Sequence, residues 1–485
     1  MQKINRRGFL KGTLATAAVM LSHKHVLGAN EDIRVAVVGF NSRGKDHIEG
    51  FRKLPGVRVA ALCDVDKDVL VREAKKFEDR NEKVETFTDV RQLLERKDID
   101  VISTATPNHW HALIAIWACQ AGKDVYVEKP VSHNVWEGRK IVEAARKYGR
   151  VVQTGTQSRS SPGLHETVQY IRDGHLGKIK LVRGLCYKRR ASIGKTSGEQ
   201  KLPGGLDYDM WAGPAPLSPL NRTRLHYDWH WVWQTGNGDL GNQGIHQMDI
   251  ARWVLGVNEL SPRVLSVGGR FGYEDDGQTP NTLSVFHEYE PAPLYFEVRG
   301  LPAKALKPNE KADKKSDEMD NYHGASIGVI AHCEGGTVVI PSYTQGIVYD
   351  KDDKKIKTFD GGGDHYANFI KAVRSRKSAE LNAEILEGHL SSALCHTANI
   401  SYRLGQSQPQ TAVAEALKDN AEARETFGRM QEHLGVHGIQ GPDVKFGLGA
   451  WLKMDPKLEK FIENEKANEM LNREYRKPFV VPESV

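Results

Sequence analysis

Cysteine is scarce in this chain, with five among 485 residues. Cys63, Cys119, Cys186, Cys333 and Cys395 lie far apart and none sits in a CxxC pair. That spacing argues against a disulfide framework and against a zinc site, so no metal is expected. The five read as small buried apolar side chains, with one disulfide left open as an alternative. Long hydrophobic runs are missing too: none approaches the roughly 20 residues that span a bilayer, so no integral membrane contact is expected. Net charge is low. Of 68 Lys and Arg, five (Lys3, Arg6, Arg7, Lys11, Lys24) precede residue 29, leaving 63 against 62 acidic residues. The remaining surface has no basic excess for nucleic acid. Internal repeats and low-complexity tracts are absent.

Those five early cations belong to an address. Residues 5–11 read NRRGFLK, an apolar stretch follows, and Leu27-Gly28-Ala29 offers small residues for cleavage. Residues 1–29 read as a twin-arginine signal peptide, with an ordinary secretory signal as the alternative. This predicts a periplasmic or exported protein. The periplasm holds no supply of free soluble cofactors, so an exported enzyme that used one is expected to hold it tightly and regenerate it.

The length suggests two domains plus appendages. IRVAVV (33–38) reads as a buried strand. The turn GFNSRG then runs Gly39, Asn41, Ser42, Arg43, Gly44, and a helix begins near Lys45. Gly39 permits the tight turn, Gly44 permits close helix–strand contact, and the helix N-terminus offers N–H groups to a pyrophosphate. Asn41 stands where the middle glycine of G-x-G-x-x-G is usual. A second strand ends at Asp64, whose carboxylate suits ribose hydroxyls and repels a 2′-phosphate, so NAD is favoured over NADP. Strands and helices keep alternating to residue 157, which implies a doubly wound parallel sheet, an α/β Rossmann domain over 32–157. Thr106, Pro107, Asn108, His111, Glu128, Lys129 and Gln157 fall at or just beyond carboxyl ends of its strands, where such sheets bind ligands.

A strand ending in Glu-Lys-Pro (128–130), preceded by TPNHWH (106–111), resembles the Gfo/Idh/MocA oxidoreductase family, and the likeness extends over roughly 32–405. The resemblance implies that 158–405 form an α/β domain with a large open, mostly antiparallel sheet. That sheet covers the cofactor and often builds an oligomer interface, so a homo-oligomer is expected. It places the family's catalytic lysine on Lys129. An ammonium there would orient the reacting hydroxyl and favour its alkoxide. The alternative for Lys129 is an ion pair with Glu128. The family's second signature falls on GDLGNQGIHQMDIARW, with Asn242 at the usual acid position and His246 as acid/base. Positions i and i+4 share a helix face. Asn242 can orient a hydroxyl but cannot titrate, which puts the usual relay in doubt.

The run HYDWHWVWQ (226–234) packs aromatics densely. Tyr227, Trp229 and His230 suit a sugar face; a hydrophobic wall is the alternative. Asp249 is a weaker substrate candidate. Lys188, Arg189 and Arg190 are expected on a solvated face, with an anionic sugar substituent as the other possibility. Strand-like segments follow to residue 360, interrupted near 304–324 by a charged loop that could serve as a lid. Residues 406–485 form a patterned extension that could wrap a neighbouring subunit.

The leading function is NAD-dependent oxidation of a sugar or polyol hydroxyl with internal cofactor recycling. Two others stay open. One is a glycoside-cleaving enzyme working through a transient 3-keto sugar, a chemistry the family includes. The other is a non-catalytic sugar- or cofactor-binding protein.

Overall fold

The computed structural model describes residues 32–305 and 318–485. The signal-peptide segment and most of the expected lid lie outside the described residues. Alternating apolar strands and amphipathic helices build the first domain. Its strands are β1 (Ile33–Val38), β2 (Val57–Cys63), β3 (Glu85–Phe87), β4 (Val101–Thr104), β5 (Asp124–Val127) and β6 (Val152–Thr154). They form one parallel sheet in the order β3-β2-β1-β4-β5-β6. Val35, Val37, Val101 and Tyr126 point to one face, where helices Gly44–Arg52, Lys67–Glu78 and His365–Ser375 bury them. Ala36, Val38, Ile102, Val125 and Val127 point to the other, under helices Asn108–Gln120 and Val135–Lys147. This alternation follows from the pleat: a sheet covered on both faces needs apolar residues at both parities. Strand order reverses between β1 and β4, which opens a crevice at their carboxyl ends.

The second domain carries β7 (Ile179–Tyr187), β8 (Arg263–Gly269), β9 (Thr282–Glu288), β10 (Leu294–Arg299), β11 (Ile327–Cys333), β12 (Gly336–Ile340), β13 (Gln345–Asp350), β14 (Lys355–Asp360), β15 (Gln406–Pro409), β16 (Lys445–Leu448), β17 (Leu452–Asp455) and β18 (Lys460–Phe461). Ten follow the order β14-β13-β12-β11-β7-β10-β9-β8-β16-β15, and β17 joins β8 and β18. All pairings are antiparallel except β7 with β10. The chain is thus α/β, with a Rossmann sheet and a separate mixed sheet. On the inner face, helices Gly244–Leu255 and Ile385–Arg403 share a core with Val182, Cys186, Val285 and Phe296. All five cysteines are buried and free. Among the described residues no helix is long and apolar enough to cross a membrane.

Residues 406–485 pack on their own chain. β15 and β16 lengthen the sheet edge, and helix Ala421–Val436 lays Phe427, Met430 and Leu434 against Leu181, Val267 and Phe286 of the outer face. Phe479, Val481 and Val485 then return to the Rossmann core. Each such buried side chain contributes about 1.5–3 kcal/mol.

Candidate active site

A cavity of about 470 Å³ opens at the switch point and runs under the second domain. Its first wall is backbone. Gly39 has φ +73°, and a Cβ there would stand 2.8 Å from Thr106 Cγ2 and 2.9 Å from Thr106 Cα. A Cβ on Gly44 would fall 2.1 Å from the Gly39 carbonyl oxygen. The helix Gly44–Arg52 therefore starts hard against the turn, with no side-chain cap on its first N–H groups. Asp64 closes this end. Its carboxylate accepts from Phe40 N and Asp66 N, both at 3.1 Å. Burial pushes the Asp64 carboxyl up, against the pull of those two amides. Asp66 pairs with His226 of the second domain at 2.7 Å. Asn41 is held by Arg72 at 2.9 Å, and Ser42 and Arg43 line the same wall.

The next stretch sits where β5 ends. Glu128 accepts from Arg43 Nε at 2.9 Å and lies 3.1 Å from His47 Nε2. Burial opposes its ionisation, yet the His47 hydrogen bond and the Arg43 charge hold it well below the usual carboxylate range. The Lys129 backbone N–H donates to Glu128 Oε2 at 3.0 Å, but its ammonium makes no ion pair with that side chain. Its Nζ donates instead to the backbone carbonyl of Asn242 at 2.8 Å. Burial depresses the Lys129 ammonium below an ordinary lysine, against the pull of the Glu128 charge and with the help of Arg43, Lys188 and Arg190. His111 bridges the two strand ends, with Nδ1 2.6 Å from the Pro130 carbonyl and Nε2 2.7 Å from that of Thr106. Asn108 donates to Asn237 Oδ1 at 2.9 Å, which ties this helix start to the second domain.

The far wall comes from the second domain. Asn242 and His246 both line the cavity, although a junction at Gln243 separates the short helix Gly238–Asn242 from Gly244–Leu255. His246 Nδ1 is buried without a hydrogen-bond partner. Burial first, and then the Lys129 charge, hold this imidazole well below its usual value. Tyr227, Trp229 and His230 reach the cavity as well. The His230 ring stacks on Trp229 at 3.6 Å, and burial lowers its pKa to about 3.

Residues 33–156 match the family model described as "Oxidoreductase family, NAD-binding Rossmann fold", and residues 176–286 match "Oxidoreductase family, C-terminal alpha/beta domain". Both matches are to domain models of the Gfo/Idh/MocA oxidoreductase family, and together they span a little under half of the chain. Its first domain is therefore an NAD-binding Rossmann domain. Among curated relatives, Glycosyl hydrolase family 109 protein 1 of Shewanella sp. (strain MR-4) is 32% identical over 174 residues, covering 30% of this chain and 38% of that protein. Levoglucosan dehydrogenase of Pseudarthrobacter phenanthrenivorans is 26% identical over 247 residues, covering 49% of this chain and 54% of that protein. The chain thus matches little more than a third to about half of the length of these relatives. A solved levoglucosan dehydrogenase, in complex with NADH and levoglucosan, shares the fold with a TM-score of 0.54 at 20% identity, covering 75% of this chain and 95% of that one.

The pocket at the switch point fits a dinucleotide. The uncapped helix start offers N–H groups for a pyrophosphate. Asp64 keeps acceptor capacity for a ribose, and Gln157 leaves a buried Oε1 unpaired on the same cavity. Thr106 and Pro107 line the wall between them.

One candidate is not brought to this site. Asp249 is 1% exposed and faces the opposite way, accepting from Arg159 Nε at 3.0 and 2.9 Å and from Ser391 Oγ at 2.7 Å. It anchors the helix that carries His246. The reading of residues 188–190 as a solvated face also needs correcting for two of the three. Lys188 and Arg190 line the cavity. Arg190 is clamped by Asp239 at 2.8 and 2.5 Å and donates to Tyr227 Oη at 2.9 Å. Gln243, His226 and the buried His47 complete the site and were not singled out from sequence. The two-residue spacing of Lys188 and Arg190 beyond β7 was the available signal, since it puts both on one side of an extended segment.

Proposed function

We propose that this protein is an NAD-dependent oxidoreductase that acts on a hydroxyl of a sugar or related polyol. The observation that carries the reading is the meeting of Lys129 and His246 on the cavity that Asp64 and the glycine turn close at its other end. Bound NAD would supply the hydride acceptor and, in the return direction, the donor. Lys129 donates a hydrogen bond to the reacting oxygen and favours its alkoxide. His246, kept neutral, takes the hydroxyl proton. Asn242 holds Lys129 through its backbone and presents an amide to the substrate without titrating. Asp64, with Asp66 behind it, disfavours a 2′-phosphate, which supports NAD over NADP. The segment 1–29 supports export through the twin-arginine route, and with it a cofactor that stays bound between turnovers.

A second reading is favoured by the match to a glycosyl hydrolase family 109 protein. Oxidation at one ring carbon acidifies the neighbouring C–H, a glycosidic leaving group departs, water adds, and hydride returns. One experiment separates the two. Small molecules are extracted from the denatured protein and identified by mass spectrometry, and the native protein is then offered free sugars and aryl glycosides. Retained NAD with reduced nicotinamide absorbance on a free sugar supports the oxidoreductase. Release of the phenol without added cofactor supports the glycosidase. Protein that neither carries nor takes up a dinucleotide sinks both.

A further inference from the structure

We infer that the substrate end of this pocket is built for a sugar bearing an anionic group, carboxylate or sulfate ester, which pairs with Lys188. The inference rests on the sugar-oxidoreductase reading and narrows its substrate class. Lys188 follows directly after β7, is half-buried, and lines the cavity. Its Nζ donates to Gln243 Oε1 at 2.6 Å, a neutral oxygen. That amide is fixed in orientation. Its nitrogen donates to Tyr343 Oη at 2.6 Å and to Gln247 Oε1 at 3.3 Å, so its oxygen must face the ammonium.

The charges around Lys188 do not balance. Before any ligand is seated, the cavity is lined by four cations, Arg43, Lys129, Lys188 and Arg190, but by only two carboxylates, Asp64 and Glu128; a dinucleotide's pyrophosphate would add its charge at the glycine turn beside Arg43 and not at Lys188. Asp64 lies at the glycine-turn end. Glu128 is taken by Arg43 and His47. Asp239, next to the cavity, is taken on both oxygens by Arg190. Lys129 rests on a backbone carbonyl. Asn242 supplies no charge where an aspartate would have. Two ammonium groups therefore share the substrate end with no carboxylate in ion-pair contact; Glu128 and Asp239, each engaged elsewhere, act on them only through space. Burial, and the charge of Arg190 after it, already depress Lys188 despite the opposing charge of Asp239. Taking an ammonium partly out of water without a counter-charge costs free energy, and an anion delivered by the substrate offsets that cost. A neutral sugar would leave it standing.

The test uses the protein with its own bound NAD. Binding of matched pairs is measured by calorimetry: glucuronate against glucose, galacturonate against galactose, and glucose sulfated on its primary hydroxyl against glucose. In the wild type the anionic member of at least one pair should bind tighter by on the order of tenfold or more, as a charge-assisted hydrogen bond gives. The carboxylate and sulfate arms identify which anion the site prefers. Lys188→Gln should level the pair, Lys188→Arg should keep the preference, and NAD extracted from both variants should match the wild type. The inference is overturned when no pair shows an anion preference, or when the preference survives in Lys188→Gln. Loss of NAD from the wild type would instead bring down the oxidoreductase reading, a result scored separately by extraction.

Discussion

Where the pocket meets the glycine turn, its walls are backbone; where it meets the second domain, its walls are long side chains held by other side chains. At the first end Gly39 and Gly44 approach other main-chain atoms too closely for any Cβ, and Asp64 is fixed by two amides. At the second end Lys129, Lys188 and Arg190 hang on Asn242, Gln243 and Asp239. The difference separates tasks. A backbone cradle recognises one invariant group and tolerates almost no change. A side-chain wall can be rewritten for a new substrate while the fold stays intact.

That contrast can be broken in four ways, from the largest expected effect to the smallest. Lys129→Ala should lower turnover by about 10²–10³, the usual worth of a donor that stabilises a developing oxyanion, while extracted NAD stays at the wild-type level. Wild-type turnover in this variant would remove Lys129 from the chemistry. Gly39→Val should do the reverse at the other end. Positive φ and the contact with Thr106 together should cost about 2 kcal/mol or more in chemical unfolding, and NAD content should fall. Full NAD occupancy would show that the turn is not a cradle.

Acid should strike next. Burial lowers His109, His230 and His396 to about 3, so the unfolded chain binds protons that the folded one refuses. Their folded pKa values are depressed, so the stability they contribute is present above about pH 6.5 and is lost as pH falls from there toward 3. Each contributes up to about 1.4 kcal/mol per pH unit across that window. The urea midpoint should drop steeply between neutral pH and mild acid; a flat profile would refute buried neutral imidazoles. The smallest effect belongs to Asn242→Asp. A carboxylate beside His246 should raise that imidazole and move the acid limb of kcat/KM upward by up to about one pH unit. An unmoved limb would mean that another group is the base.

Much of the first domain was legible because its signals are local. The apolar strands, the turn GFNSRG, Asp64 and the Glu-Lys-Pro corner all lie within short stretches whose spacing reports their geometry. The pair Asn242 and His246 was found through a motif, though the helix was expected to be continuous and instead breaks at Gln243. The misreadings share a cause. Asp249 lies three residues beyond His246 and should share its face, but helix Gly244–Leu255 is buried nearly all round, so one inner side meets the cavity and another meets Arg159. Lys188 and Arg190 lie just past a strand end, where charges usually meet water; the packing of Gln243 and Asp239 beside them turned that segment inward. The extension could be read as patterned but not placed: only the fold shows that its last apolar residues fill the chain's own Rossmann core.

By itself the sequence determined the order of strands and helices, the glycine turn and the identity of the groups able to handle a proton, because these depend on side-chain period and on residues close together in the chain. Tertiary structure alone decided which carboxylate is already engaged, which ammonium is left facing the cavity and which end of a strand is dry. Those are properties of contacts between residues up to hundreds of positions apart, and burial, which sets the strength of every charge in the pocket, exists only once they are made.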